Sequence, residues 1–264
     1  AKDGTPLLKL IEKAGSLPGI KVDKGTKPLP NCPGEVVTEG LDGLRERLVE
    51  YRSLGAKFAK WRAVIDIGPS MPSYAGVLTN AHALARYAAH CQNEGIVPIV
   101  EPEVLMDGDH DIDRCAETSE WVLKAVFEQL YYQGVALEGM VLKPNMVVPG
   151  KKSGKRASVE DVADKTLRVL KACVPAAVPG IAFLSGGQSD EEATAHLDAI
   201  NRMGPLPWRV TFSYGRALQH APQTTWSGKS ENVAAAQRAF GHRAMMNSLA
   251  ATGQWQADLE RKAA

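Results

Sequence analysis

The chain has 264 residues, 44% hydrophobic and 23% charged, with a formal net charge of +1. That length supports one sizeable core, and the scatter of Lys and Arg among Asp and Glu excludes a whole-molecule field that would draw in nucleic acid or an anionic membrane. Cys32, Cys91, Cys115 and Cys173 form no C-x-x-C pair and no dense disulfide framework, which fits reduced thiols in a cytosol, and no apolar run approaches the roughly 18 residues of a membrane span.

The opening AKDGTPLLKL lacks the basic-then-apolar pattern of a signal peptide and, without an initial Met, reads as the tail of a helix that continues an upstream segment. Short apolar stretches then alternate with amphipathic ones. GIKVD at 19–23 reads as a strand, LDGLRERLVEYRSLG as a helix and FAKWRAVIDI at 58–67 as a strand. NAHALARYAAHCQNEG is helical, IVPIVEP at 96–102 and GMVLKP at 139–144 are strands, and VEDVADKTLRVLKACV is helical. GIAFLSG at 180–186 and WRVTFSYG at 208–215 complete the strands. Ser158 with Asp161 and Ser189 with Glu192 have the spacing of capping boxes. The rhythm predicts a parallel sheet in one domain spanning 1–264, with about six βα units of the eight in a closed (β/α)8 TIM barrel. A doubly wound sheet is disfavoured, since no G-x-G-x-x-G follows the first strand and several strands carry charges.

Those charges are the chemical signal. Lys21, Lys60, Arg62, Glu101, Glu103 and Lys143 lie inside or at the ends of apolar strands, where an ionic group is costly unless paired. Alternation puts Lys60 and Arg62 on one face of their strand, and likewise Glu101 and Glu103 on theirs, so cations and carboxylates from neighbouring strands meet in the barrel mouth if that face lines it. Lys143, followed by Pro144 and flanked by apolar strand residues, suits an amine nucleophile toward a ketone, with Glu101 as proton shuttle. The turn at Ser185, Gly186 and Gly187, near a helix start, offers backbone amides to an anion, and Ser213, Gly215 and Arg216 repeat the theme.

GIKVDKG, FAKWR, IVPIVEPE, LEGMVLKPNMVVPG, IAFLSGGQSDEEA and TFSYGRAL together resemble the successive strand motifs of class I fructose-bisphosphate aldolases, in the family's order and over nearly the whole chain. The resemblance implies Lys143 as the Schiff-base residue, Glu101 as the acid/base, Lys60 as the cation of the carbinolamine step, and Glu103 hydrogen-bonded nearby. It implies Ser185, Gly186, Gly187, Ser213, Gly215 and Arg216 around the phosphate on the ketone-derived half, with Lys21 and Arg62 at the other phosphate. It further implies a cytoplasmic homotetramer that acts on sugar phosphates and needs no cofactor. The family's first two barrel strands, with their Asp and serines, have no counterpart here, so the barrel is expected to be N-terminally incomplete. Another Schiff-base barrel, such as a transaldolase or deoxyribose-phosphate aldolase, and a truncated inactive structural form stand as alternatives.

The stretch from Asp107 to Asp113 resembles an oxygen-rich metal loop but has Ile112 and Thr118 where an EF-hand needs Gly and Glu, so it reads as a helix start. The six His residues show no H-x-x-x-H pair, which leaves no expected metal site. KKSGKR at 151–156 reads as a solvated loop.

Overall fold

The structure is a computed structural model that describes residues 1–261. From the N-terminus the elements are α1 (Leu7–Lys13), β1 (Gly19–Lys21), β2 (Thr26–Pro28), β3 (Val36–Thr38), α2 (Leu44–Ser53), β4 (Phe58–Ile65) and α3 (Tyr74–Asn93). There follow β5 (Val97–Val104), α4 (Ile112–Tyr132), β6 (Val141–Leu142), α5 (Val159–Cys173), β7 (Gly180–Phe183), α6 (Asp190–Arg202), β8 (Arg209–Phe212), α7 (Arg216–Trp226) and α8 (Val233–Ala250). All six strands expected from the sequence form. They pair in parallel in the order β1, β4, β5, β6, β7, β8. A doubly wound sheet reverses its strand order at a switch point, and this one never does, so its six strands wind in one direction as part of a (β/α)8 TIM barrel.

The two-residue period of β4 sets the layers. Ala59, Trp61, Ala63 and Ile65 are buried on the face toward the helices, where Trp61 stacks on Tyr87 of α3 with ring centroids 5.6 Å apart. Burying an indole of about 200 Å² contributes about 5 kcal/mol before entropy is set against it. The alternate residues Phe58, Lys60, Arg62 and Val64 are half-buried on the opposite face, which lines the barrel.

The helix starts are satisfied locally. Ser158 and Asp161 form a capping box on α5, and Ser189 and Glu192 form one on α6, as their spacing predicts. Asp111 caps α4 by accepting from Arg114 N–H at 3.0 Å, so the acidic loop before it is a helix start. The hairpin of β2 and β3 was not anticipated, because strands of three residues are too short to show a period. It is tied to the barrel by Thr38, whose hydroxyl donates to the Arg62 carbonyl at 2.7 Å and whose N–H donates to Asn80 Oδ1 at 3.3 Å.

Candidate active site

The charged residues of β4 and β5 meet one another and the lysine that follows β6. In the β4–β5 ladder Lys60 lies opposite Ile99 and Arg62 opposite Glu101. Each cation reaches the carboxylate two residues beyond its ladder partner. Lys60 Nζ is 2.8 Å from Glu101 Oε2, and Arg62 Nε donates to Glu103 Oε2. Lys143 follows the last residue of β6, and its N–H continues the ladder by donating to the Val100 carbonyl at 2.8 Å. Its Nζ is 3.1 Å from Glu101 Oε1. One carboxylate, only 4% exposed, therefore sits between two amines, and the Lys143 side chain is itself 12% exposed. Glu101 Oε2 is closed off from solvent, and its partner is the Lys60 ammonium.

A second cluster adjoins the first. Lys21 of β1 is the ladder partner of Lys60, and its ammonium pairs with Asp23. Asp23 is a residue the sequence reading passed over. Its side chain is 2% exposed, and it accepts from Gly25 N–H at 3.1 Å and from the backbone N–H of Arg62 at 3.3 Å. Its position two residues beyond Lys21 in GIKVDK, on the same strand face, was the available signal. Burial works against the charge of Arg62, and the carboxylates of Glu103, Glu101 and Asp23 outweigh it, holding the guanidinium pKa above its ordinary value. Asn145 was also passed over. It is buried, accepts from Val104 N–H at 3.1 Å, and donates to Ser119 Oγ and the Met146 carbonyl, each at 3.1 Å, so it fastens the end of β5 to the segment after Lys143.

The third cluster follows β7 and β8. Leu184 N–H donates to the Pro144 carbonyl at 3.2 Å, which sets Ser185 just beyond the lysine segment. Ser185 is buried, and its Oγ accepts from Ala217 N–H at 3.4 Å, joining the Ser185–Gly187 turn to the first turn of α7. Ser213 N–H extends the β7–β8 ladder to the Phe183 carbonyl at 2.8 Å, Gly215 is the N-cap of α7, and Arg216 is its first residue, exposed and without an ion pair among the described residues. The helix start expected to face an anion beside Gly187 is that of α6, but its first turn holds Asp190, Glu191 and Glu192 behind a closed capping box. Three carboxylates repel an anion there, so α7 offers the better helix terminus. The basic loop at 151–156 pairs with the loop after β5, through Lys151 to Asp107 at 2.9 Å and Lys155 to Asp111 at 3.2 Å.

An amine, a carboxylate 3.1 Å from it, and cationic or backbone-amide groups on either side are the parts that a (β/α)8-barrel enzyme acting on a carbonyl in an anionic substrate would need. Comparison with known proteins is specific. The family model of class-I fructose-bisphosphate aldolase matches residues 1–264. A probable class 1 fructose-bisphosphate aldolase of Xanthomonas campestris is 57% identical over 255 residues, covering 96% of this chain and 76% of that protein. The cytoplasmic isozyme of Spinacia oleracea is 54% identical, covering 96% of this chain and 71% of its own length. A crystal structure of fructose-bisphosphate aldolase from Plasmodium falciparum, in complex with TRAP and a small-molecule inhibitor, superposes with a TM-score of 0.95 at 48% identity, over 97% of this chain and 74% of that one. The chain belongs to the class-I fructose-bisphosphate aldolase family and is a lyase. No helix among the described residues is long and apolar enough to cross a membrane.

Proposed function

We propose that this chain reversibly cleaves fructose 1,6-bisphosphate to dihydroxyacetone phosphate and glyceraldehyde 3-phosphate through a Schiff base on Lys143. The observation that supports this reading best is the buried Glu101 carboxylate held between Lys143 Nζ at 3.1 Å and Lys60 Nζ at 2.8 Å. Lys143, as the neutral amine, attacks the substrate ketone carbon. Glu101 carries a proton to the carbinolamine hydroxyl, which leaves as water and gives the imine, while Lys60 steadies the charge on oxygen. The imine draws electrons from the adjacent carbon-carbon bond as a base removes the proton of the neighbouring hydroxyl, and Glu101, left as carboxylate by the dehydration, is the base this cluster offers. The aldehyde departs, the enamine is protonated on carbon, and water releases the ketone and regenerates Lys143. Glu103 holds Arg62 in place. Ser185, Gly186, Gly187, Ser213, Gly215 and Arg216 grip the phosphate on the ketone half, and Lys21 and Arg62 grip the other, so binding energy at both ends positions the scissile bond.

Under the same proposal residues 1–264 act as one barrel domain in a cytoplasmic homotetramer, a state that light scattering reads directly. The chemistry is tested by borohydride reduction in the presence of dihydroxyacetone phosphate followed by peptide mapping. An adduct on Lys143, absent in Lys143→Ala, supports it. An adduct on another lysine, or none at all, sinks it and favours a structural module.

A further inference from the structure

One side chain outside the charged clusters shapes the turn at Gly186 and Gly187. A Cβ added to Gly186 would lie 2.8 Å from Met106 Cε and 2.9 Å from its Sδ, and one added to Gly187 would lie 2.2 Å from Met106 Cγ. Side-chain carbons do not approach so closely, so the two glycines are in van der Waals contact with Met106 through their bare Cα atoms. Met106 is 3% exposed and comes two residues after β5, the strand that carries Glu101 and Glu103. Its carbonyl accepts from Lys151 N–H at 2.8 Å, tying it to the loop that follows Lys143. Gly187 has φ +80°, a left-handed conformation that residues with a Cβ rarely adopt.

We propose that Met106 is a positioning residue for substrate phosphate: its thioether chain fills the floor beneath Gly186 and Gly187 and fixes the direction of their amides. This rests on the reading of Ser185–Gly187 as the phosphate turn. An unbranched, polarizable side chain conforms to a surface of bare backbone, and Leu replaces it at nearly constant volume, whereas Ala leaves a void into which the turn relaxes.

The test uses imine trapping by borohydride, with dihydroxyacetone phosphate and unphosphorylated dihydroxyacetone as paired probes, on the full chain and on Met106→Ala, Met106→Leu and Arg216→Ala, each with a thermal melt. In Met106→Ala the half-saturating concentration of the phosphorylated probe should rise about fivefold to twentyfold, the size of one weakened charge-assisted hydrogen bond, while that of the unphosphorylated probe stays constant. Met106→Leu should restore the parent value. A rise for both probes alike, with a lowered melting temperature, marks general loosening and overturns the proposal. No rise in Met106→Ala beside a clear rise in Arg216→Ala overturns the role of Met106 alone. No rise in either variant, or no trapping in the parent chain, overturns the phosphate-turn or Schiff-base reading and the role of Met106 with it.

Discussion

Glu101→Gln keeps the shape of the central side chain while removing its charge and its capacity to carry a proton. The two lysine nitrogens lie 3.1 Å and 2.8 Å from its oxygens. At an effective dielectric constant of about 20, each contact is a gross attraction of about 5–6 kcal/mol, most of which desolvation offsets. Removing one partner of a buried pair costs about 3–5 kcal/mol, and the partial exposure of both lysines lowers the expected loss of stability to about 2–3 kcal/mol. The kinetic effect should be larger, since loss of a positioned acid lowers imine formation by about 10²- to 10⁴-fold. Stopped-time borohydride trapping with dihydroxyacetone phosphate measures that step without requiring cleavage, and a denaturant melt measures the other. A Glu101→Gln variant that traps the ketone within threefold of the parent rate would refute the assignment, because no other carboxylate contacts Lys143 Nζ among the described residues.

Arg62→Ala should lower kcat/KM for the bisphosphate by about 10- to 100-fold through loss of one charge-assisted phosphate contact, with little change for fructose 1-phosphate; equal losses on both would remove Arg62 from the second phosphate site. Asp23→Asn should raise KM for the bisphosphate and leave imine trapping with dihydroxyacetone phosphate unaltered, since Asp23 orders Lys21 and the backbone of Arg62 but does not touch Lys143. Glu260 offers a pH test remote from the site. Burial raises its pKa, and its contacts with Arg243, His242 and Trp255 outweigh that and hold it below the ordinary carboxylate value. A depressed folded pKa gives stability that is present above the unfolded glutamate pKa of about 4.3 and is lost as pH falls through the folded value. The gap in melting temperature between the parent and Glu260→Gln should therefore be widest near neutrality and close in acid, and a gap that widens in acid would contradict the sign.

The strands and their charges were legible because burial on a barrel strand writes a two-residue period. Lys60 and Arg62 interrupt an apolar run at alternate positions, and Glu101 and Glu103 do the same on the next strand. The capping boxes were legible because they close within four residues. Contacts between distant segments left no such mark. Asp23 meets the Arg62 backbone across 39 residues, and Met106 reaches Gly187 across two strand boundaries, so neither pairing has a period or spacing to reveal it. The acidic first turn of α6 was in plain view, but its consequence for an anion depended on knowing that α7 stands beside the same turn.

The diagonal pairing of β4 with β5 also has a consequence for folding. Slide β5 by two residues so that Lys60 faces Glu101, and Lys60 finds Glu103 on its diagonal while Arg62 finds Leu105. Slide it the other way, and Arg62 finds Glu101 while Lys60 finds Ile99. A slip of one residue turns Trp61 into the barrel and the cations toward the helices. The second slide and the one-residue slip each deprive a cation of its carboxylate, so the residues proposed for the chemistry also select against those two misalignments. An apolar replacement of both cations would then threaten strand alignment as well as catalysis.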